Sequence, residues 1–510
     1  VTASCHPLHL VVTMAETDGA CERPNFLLVT FDQWPAPLMG YEGHPVIETP
    51  TLDTLAAAGT RFSRAYSECP ICIPARRTLM TGQSPRTHGD RVFQPSLTMP
   101  AGVPTLPGVL GAAGYQTFAV GKLHAYPPRD RLGFDDALIA EEGRPHLGAV
   151  DDYDIFLADR GYAGEGFAHG MSNNDYGWRT WHLPEDCHVT NWTTAAMCRT
   201  IKRRDPTRPA LWYLSYTHPH PPIVPLASYL ERYTRREMPA ALSAPWAVVE
   251  PQPHMLASVR TFWHQLGPEA LADVRRAFYA LCTHIDAQLR RVIGTLREEG
   301  VLENTVILIT GDHGDMLGDF GLYAKRLMYE GSARVPMILL GPKGDPRVGE
   351  GVVDGRPAGL ADVMPTLLDL AGIETPQGCD GRSMLGPRRE TLYCEALEGP
   401  RATRMVTDGR HKLIWYPDGN VVQLFDLDAD PNELADIAAD PAAGEVRARL
   451  EAALRDALYG EDTDAVRDGA LIGRGPTPVP QVVNRGLSGQ RGVHYPQPPV
   501  TDPSVVVGAG

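Results

Sequence analysis

Residues 25–33 read NFLLVTFDQ, and residues 305–315 read TVILITGDHGD. Each is a continuous apolar run that stops abruptly at acidic and amide groups. A run without apolar–polar alternation is the pattern of a strand covered on both faces, as in a parallel sheet flanked by helices. Polar residues just past such strands sit at their carboxyl ends, where α/β sheets gather ligands. Working outward, Arg61–Tyr66, Tyr115–Val120, 211–216 (LWYLSY) and Val335–Leu340 read as further strands. Leu52–Ala58, Ala75–Met80 and Leu106–Ala113 read as helices, stopped by Gly59, Gly82 and Gly114. The clearest helix spans about 269–299, where Leu271, Val274, Phe278, Leu281, Ile285, Leu289, Val292 and Leu296 recur at helical spacing before Gly300. Alternating strands and helices predict an α/β fold with a mostly parallel central sheet and helices on both faces.

The chain has 510 residues, 43% apolar and 21% charged, enough to close a large core under a polar surface. Fifty glycines and 46 prolines imply many shaped loops. The net charge of −15 argues against nonspecific nucleic-acid binding or attraction to anionic membranes. An anionic ligand would need a local cluster of Lys and Arg. No stretch approaches the roughly 20 apolar residues of a membrane span. The first 24 residues carry no basic stretch before the short Leu8–Val12 run, so a secretory signal is not expected, and Met14 reads as a start. Nine scattered cysteines do not form a disulfide framework, and a reduced, cytoplasmic protein is expected. Past about 385 the texture shifts to short strands near 403–407, 411–416 and 424–427, then a helix near 444–458. The expected division is an extension (1–23), a catalytic domain (24–384), a small α+β subdomain (385–460) and a Pro/Gly-rich tail (461–510).

Residues 69–76 read CPICIPAR. One reading pairs Cys69 with Cys72 as a redox or zinc half-motif, but nothing nearby completes a zinc site. The other begins at Cys72, Cys-x-Pro-x-Arg, followed by Thr78-Leu79-Met80-Thr81-Gly82. That stretch resembles the signature of the type I sulfatases of the alkaline phosphatase superfamily, whose Cys is oxidised to formylglycine. The resemblance runs from about Pro24 to Leu427. It takes in Asp32 after the first strand, Gly121-Lys122-Leu123-His124, His218 after a strand, Asp312-His313-Gly314, and Lys325.

The resemblance implies an alkaline-phosphatase-like fold and hydrolysis of sulfate esters. A formylglycine at 72 would hydrate, and one hydroxyl on a divalent cation would ionise near neutral pH. It would attack sulfur to give a covalent sulfo-enzyme intermediate, which the second hydroxyl would break down. Asp32, Gln33, Asp312, His313 and the oxygen at 72 are the implied metal ligands. An imidazole and a reduced carboxylate count favour Mn²⁺ over Ca²⁺ or Mg²⁺. Arg76, one helical turn past Cys72, is expected to hold the formylglycine oxygens. Lys122 and Lys325 are expected to neutralise the ester oxygens. His124 is the expected base for the second hydroxyl and His218 the expected acid for the leaving oxygen. His220 is expected only to brace the loop.

Some of the sequence departs from that pattern. Several relatives carry a substrate-touching Asn about twenty residues past the formylglycine, where this chain has Phe93 and Gln94; either His88 substitutes or the contact is absent. Residues 169–192 are read either as a specificity pocket or as a loop packed by its own aromatics, and Asp151-Asp152-Tyr153-Asp154 as a solvated surface. The texture of 313–337 resembles choline sulfatases, while phosphonate monoester hydrolases that cleave phosphodiesters share the Asp-Gln and Asp-His pairs. A silent anion-binding protein and a two-metal phosphatase are the other readings. The expected partners are a small anionic ester and a formylglycine-generating enzyme. A homo-oligomer is expected through a tail carrying Asn484-Arg485-Gly486 and His494-Tyr495-Pro496.

Overall fold

The computed structural model describes residues 23–142, 150–387 and 389–479. Both tail motifs, the early cysteines, Leu8–Val12 and Met14 lie outside the described residues. Eight strands form the central sheet: β1 (Asn25–Asp32), β2 (Thr60–Tyr66), β3 (Gln116–Gly121), β4 (Asp136–Ile139), β5 (Ala210–Pro219), β6 (Thr305–Gly311), β7 (Met337–Leu340) and β8 (Val352–Gly359). Their order is β4-β3-β5-β1-β6-β7-β2-β8. All neighbours run parallel except β7, which is antiparallel to both β6 and β2.

The continuous apolar runs arise because β1 and β6 are covered on both sides. Leu27, Val29 and Phe31 point into one core, with Phe278, Ile285 and Leu289 of a long helix. Phe26 and Leu28 alternate into the other, with Leu79 and Met80. Each such side chain, fully buried, stabilises the fold by roughly 1.5–3 kcal/mol. The helices used below are α1 (Pro50–Ala58), α2 (Cys72–Thr81), α3 (Leu106–Ala112), α4 (Asp152–Asp159), α5 (Val189–Lys202), α6 (His254–Phe262), α7 (Pro268–Glu298), α8 (Val363–Leu370) and α9 (Gly444–Ala457). All eight periodic positions expected on α7 are buried.

A second, antiparallel sheet has the order β12-β11-β10-β9, built from β9 (Leu392–Ala396), β10 (Thr403–Thr407), β11 (His411–Tyr416) and β12 (Val421–Asp426). Leu450 and Leu454 of α9 cover one face, against Leu413 and Trp415. Met405, Ile414 and Phe425 on the other face join a core with Tyr66, Cys69 and Tyr329. Past α9 the chain adds the hairpin of β13 (Val466–Arg467) and β14 (Ala470–Leu471). Asp462 lies 2.8 Å from Nε of the buried Arg404 and 2.7 Å from Nη1 of Arg91.

The acidic run at 151–154 is not a solvated surface throughout. Asp151 is 5% exposed. It caps α4 by accepting the Asp154 N–H at 2.8 Å and takes the Glu141 N–H at 2.7 Å. No helix among the described residues is long and apolar enough to cross a membrane.

Candidate active site at the carboxyl edge of the sheet

β1 and β6 are neighbours, so the residues that follow them emerge side by side. At the end of β1 the register against β5 shifts between Phe31 and Asp32, and Gln33 turns to φ 68°. Cys72 opens α2 beside them. The Sγ of Cys72 lies 3.1 Å from Nε2 of His313 and 3.9 Å from Oδ1 of Asp32. The same Nε2 is 3.7 Å from Oδ1 of Asp32 and 3.7 Å from Oδ1 of Asp312. One ligand atom from each of these four residues falls within 4.8 Å of the others, all of them buried.

These donors fit a divalent cation. His313 directs Nδ1 to the carbonyl of Gly314 at 2.9 Å, so Nδ1 donates and Nε2 offers its lone pair to the cluster. Gly314 is required there, because any Cβ would collide with the carbonyl of Gly331. Two fully buried carboxylates face the same point. Burial and then the charge of Asp32 push the Asp312 carboxyl above its usual range. For Asp32 burial acts upward most strongly of any single cause, but Lys122, His220 and Arg76 together hold the group low. A cation between the two would relieve that repulsion.

Gln33 is clamped from both ends. Its Nε2 donates to Oδ2 of Asp315 at 2.5 Å, and its Oε1 accepts from Nζ of Lys325 at 2.8 Å. Tyr176 in turn donates its hydroxyl to the Asp315 carboxylate at 2.7 Å. Lys325 also reaches Sγ of Cys72 at 3.0 Å. Burial pushes the Cys72 thiol up, but Lys325, Lys122, His313 and a hydrogen bond from His124 together bring it well below the usual thiol range. Cys69 is buried in the adjoining core, and both are free thiols.

Arg76 is hydrogen-bonded to both carboxylates. Its Nε donates to Asp312 at 3.0 Å and its Nη2 to Asp32 at 3.3 Å. Nη1 donates to the Lys122 carbonyl at 2.7 Å and to the Ser215 hydroxyl at 2.9 Å. The guanidinium therefore ties the two carboxylates together from behind, and its hydrogen bonds run there rather than to the side chain at 72.

Gly121 precedes Lys122 at φ 108°, and a Cβ there would overlap the Ser215 carbonyl. This close approach drives the Lys122 amine inward, onto Asp32 and Glu142. Asp32, Glu142 and His220 also lie close enough to bind an ion, but the Lys122 ammonium already supplies the positive charge at that position. The loop that carries His124 is pinned by Glu141, which accepts the Leu123 and His124 N–H groups at 2.9 and 2.8 Å. Phe93 packs edge-on against the His124 ring at 6.0 Å. His88 is turned away, with Nδ1 accepting from the Asp90 N–H at 3.1 Å and Nε2 3.0 Å from the Thr78 hydroxyl.

His218 sits near the end of β5 with Nδ1 3.0 Å from the His220 carbonyl, and burial lowers its pKa to about 4. His220 donates its N–H to the Asp32 carbonyl at 3.1 Å and directs Nδ1 to that of Pro221 at 2.7 Å. Glu141, Glu142, Asp315 and Tyr176 are the participants that sequence reasoning did not assign. Asp315 lies inside GDHGD, and its spacing from Asp312 was the available signal.

A cavity of about 260 Å³ opens from Gln33 and Lys325, with Asn174, Tyr176 and one side of α6 among its walls.

A family model described as Sulfatase matches residues 24–373. A second, described as N-sulphoglucosamine sulphohydrolase, C-terminal, matches residues 318–459. The chain is 31% identical over 434 residues to an arylsulfatase of Clostridium perfringens, covering 81% of this chain and 90% of that protein. It is 31% identical over 456 residues to a choline-sulfatase of Rhizobium meliloti, covering 84% and 85% respectively. Its fold is similar to that of a phosphonate monoester hydrolase of Agrobacterium radiobacter, with TM-score 0.72, 24% identity, and coverage of 83% of this chain and 93% of that one.

Proposed function

The chain belongs to the sulfatase family of sulfuric ester hydrolases, and from that premise we propose that residue 72, oxidised to formylglycine, is its nucleophile. The observation that carries this reading is the convergence of Asp32, Cys72, Asp312 and His313 at one buried point. We assign the divalent cation to Asp32, Gln33, Asp312, His313 and the oxygen at 72, with His313 favouring Mn²⁺ over Ca²⁺. When bound, the cation would lower the pKa of a hydroxyl of the hydrated aldehyde and so supply a nucleophile for the sulfate ester.

The remaining work falls to the side chains. Lys325 beside residue 72 binds the nonbridging oxygens of the ester, and the α2 N-terminus adds its positive end. Lys122 holds Asp32 ionised and balances charge from below. Arg76 fixes the spacing of Asp32 and Asp312. His124 takes the proton whose removal lets the second hydroxyl expel sulfate. His218 has Nδ1 committed to a carbonyl, so Nε2 is the atom that passes a proton to the leaving oxygen, once the negative charge of the bound ester has raised its pKa from about 4. The same tetrahedral, oxyanion-binding geometry supports side activity toward phosphodiesters and phosphonate monoesters. A formylglycine-generating enzyme is the partner the scheme requires.

The test is sulfate release from phenyl sulfate, with a phosphodiester assayed alongside and Mn²⁺ or Ca²⁺ added after chelation. The expected result is sulfate release that Cys72→Ala abolishes. Wild-type protein with a confirmed aldehyde that releases no sulfate from any ester would overturn the reading.

A further inference from the structure

The cavity beside the nucleophile shares Gln33 and Lys325 with it, so an ester held at residue 72 projects its leaving group into that space. Its volume of about 260 Å³ exceeds the roughly 150 Å³ in which an apolar cavity binds benzene. Much of its lining is apolar: Met255 and Val259 of α6, then Phe262, Trp263 and Tyr176. The Trp263 ring meets Phe262 at 5.1 Å and Tyr176 at 5.2 Å, both edge-to-face, which fixes the aromatic surface.

The charged lining is of one sign. Lys325, Arg326 and Arg401 reach the cavity, and among the described residues lining it there is no aspartate or glutamate. Arg401 comes from the connection between β9 and β10, which packs against α6. It is exposed, and its side chain enters no ion pair among the described residues. Lys325 is already placed on the reacting group, and Arg401 is a further cation lining the same aromatic-walled slot.

We propose that this slot selects a flat aromatic or alicyclic alcohol that carries a second, anionic substituent, and that Arg401 reads that substituent. The proposal rests on the sulfatase reading above and adds the substrate class. A carboxylate on the ring meets the guanidinium fork in a charge-assisted pair. A quaternary ammonium would find aromatic faces but three cations and no counter-ion, so a choline ester is disfavoured.

The experiment compares kcat/KM for phenyl sulfate, its para-carboxylated analogue and choline sulfate, in wild-type protein and in Arg401→Gln and Arg401→Lys. The expected order is carboxylated ester, then phenyl sulfate, then choline sulfate, with about a tenfold preference for the carboxylate. Arg401→Gln should abolish that preference while changing phenyl sulfate less than about twofold, and Arg401→Lys should retain part of it. A variant that slows both aryl esters equally, or a wild type that prefers choline sulfate, would overturn the proposal alone. Failure on all three esters by protein with a confirmed aldehyde would overturn the sulfatase reading with it.

Discussion

Lys325 holds its Nζ 3.0 Å from the Sγ of Cys72, at the bottom of the cavity that admits the substrate. A cation at that position sees the negative charge of the ester oxygens before and during attack. Lys325→Met keeps the length of the side chain and removes the charge. It should lower kcat/KM for phenyl sulfate by about 10²–10³, the usual cost of losing one positioned donor. Steady-state kinetics with matched aldehyde content at residue 72 checks it.

Asp315 lies one step back from the proposed metal ligand Gln33. It receives Gln33 Nε2 and the Tyr176 hydroxyl, and so fixes which end of the Gln33 amide faces the cluster. Asp315→Asn should weaken Mn²⁺ binding by about 10–100-fold, read by calorimetric titration of metal-stripped protein. Tyr176→Phe should move it in the same direction by less.

The second sheet depends on one buried ionic cluster. Arg404 is fully buried and donates Nε and Nη2 to Asp462, and Arg91 donates to the same carboxylate. Removing the anion leaves the buried Arg404 without its carboxylate partner, while Arg91 keeps Glu395 and Glu398. Asp462→Ala is expected to destabilise the fold by about 3–5 kcal/mol in urea unfolding.

Stability should fall with pH below the ordinary histidine range. Burial, with Arg77 close by, lowers the pKa of His88 to about 3, and burial lowers that of His44 to about 4. Both are held neutral by accepted N–H bonds, from Asp90 to His88 and from Val46 and Ile47 to His44. Below the unfolded value of about 6.5 the unfolded chain binds protons that the folded one does not, so stability is full above that pH and is lost as pH drops toward 4. Urea midpoints at pH 7 and pH 5 test this, and His88→Gln should flatten the slope.

How much of this was legible in the sequence follows from where the signal lay. β1 and β6 were readable because burial on both faces produces an unbroken apolar run. β8 (VVDGRPAG) was not, because it is an edge strand that tolerates Gly355 and Pro357. Among site residues, Asp32, Asp312 and His313 could be placed because they directly follow readable strands. The carboxylate contacts of Arg76 could not, since its partners are 44 and 236 residues away and only the sheet brings them together. Glu141 and Glu142 belong to no pattern, and their assignment depends on the turn that follows β4. α6, which walls the cavity, offers only two helical turns and gave no clear periodic signal.

The central claim is chemical: residue 72 is oxidised and its neighbour at 69 is not. The tryptic peptide Ala65–Arg76 carries both cysteines, so one mass spectrum of alkylated protein, made with a formylglycine-generating enzyme, answers it. Alkylated Cys69 and an aldehyde or its hydrate at 72 are expected. Two alkylated thiols, or a disulfide joining them, would contradict the claim.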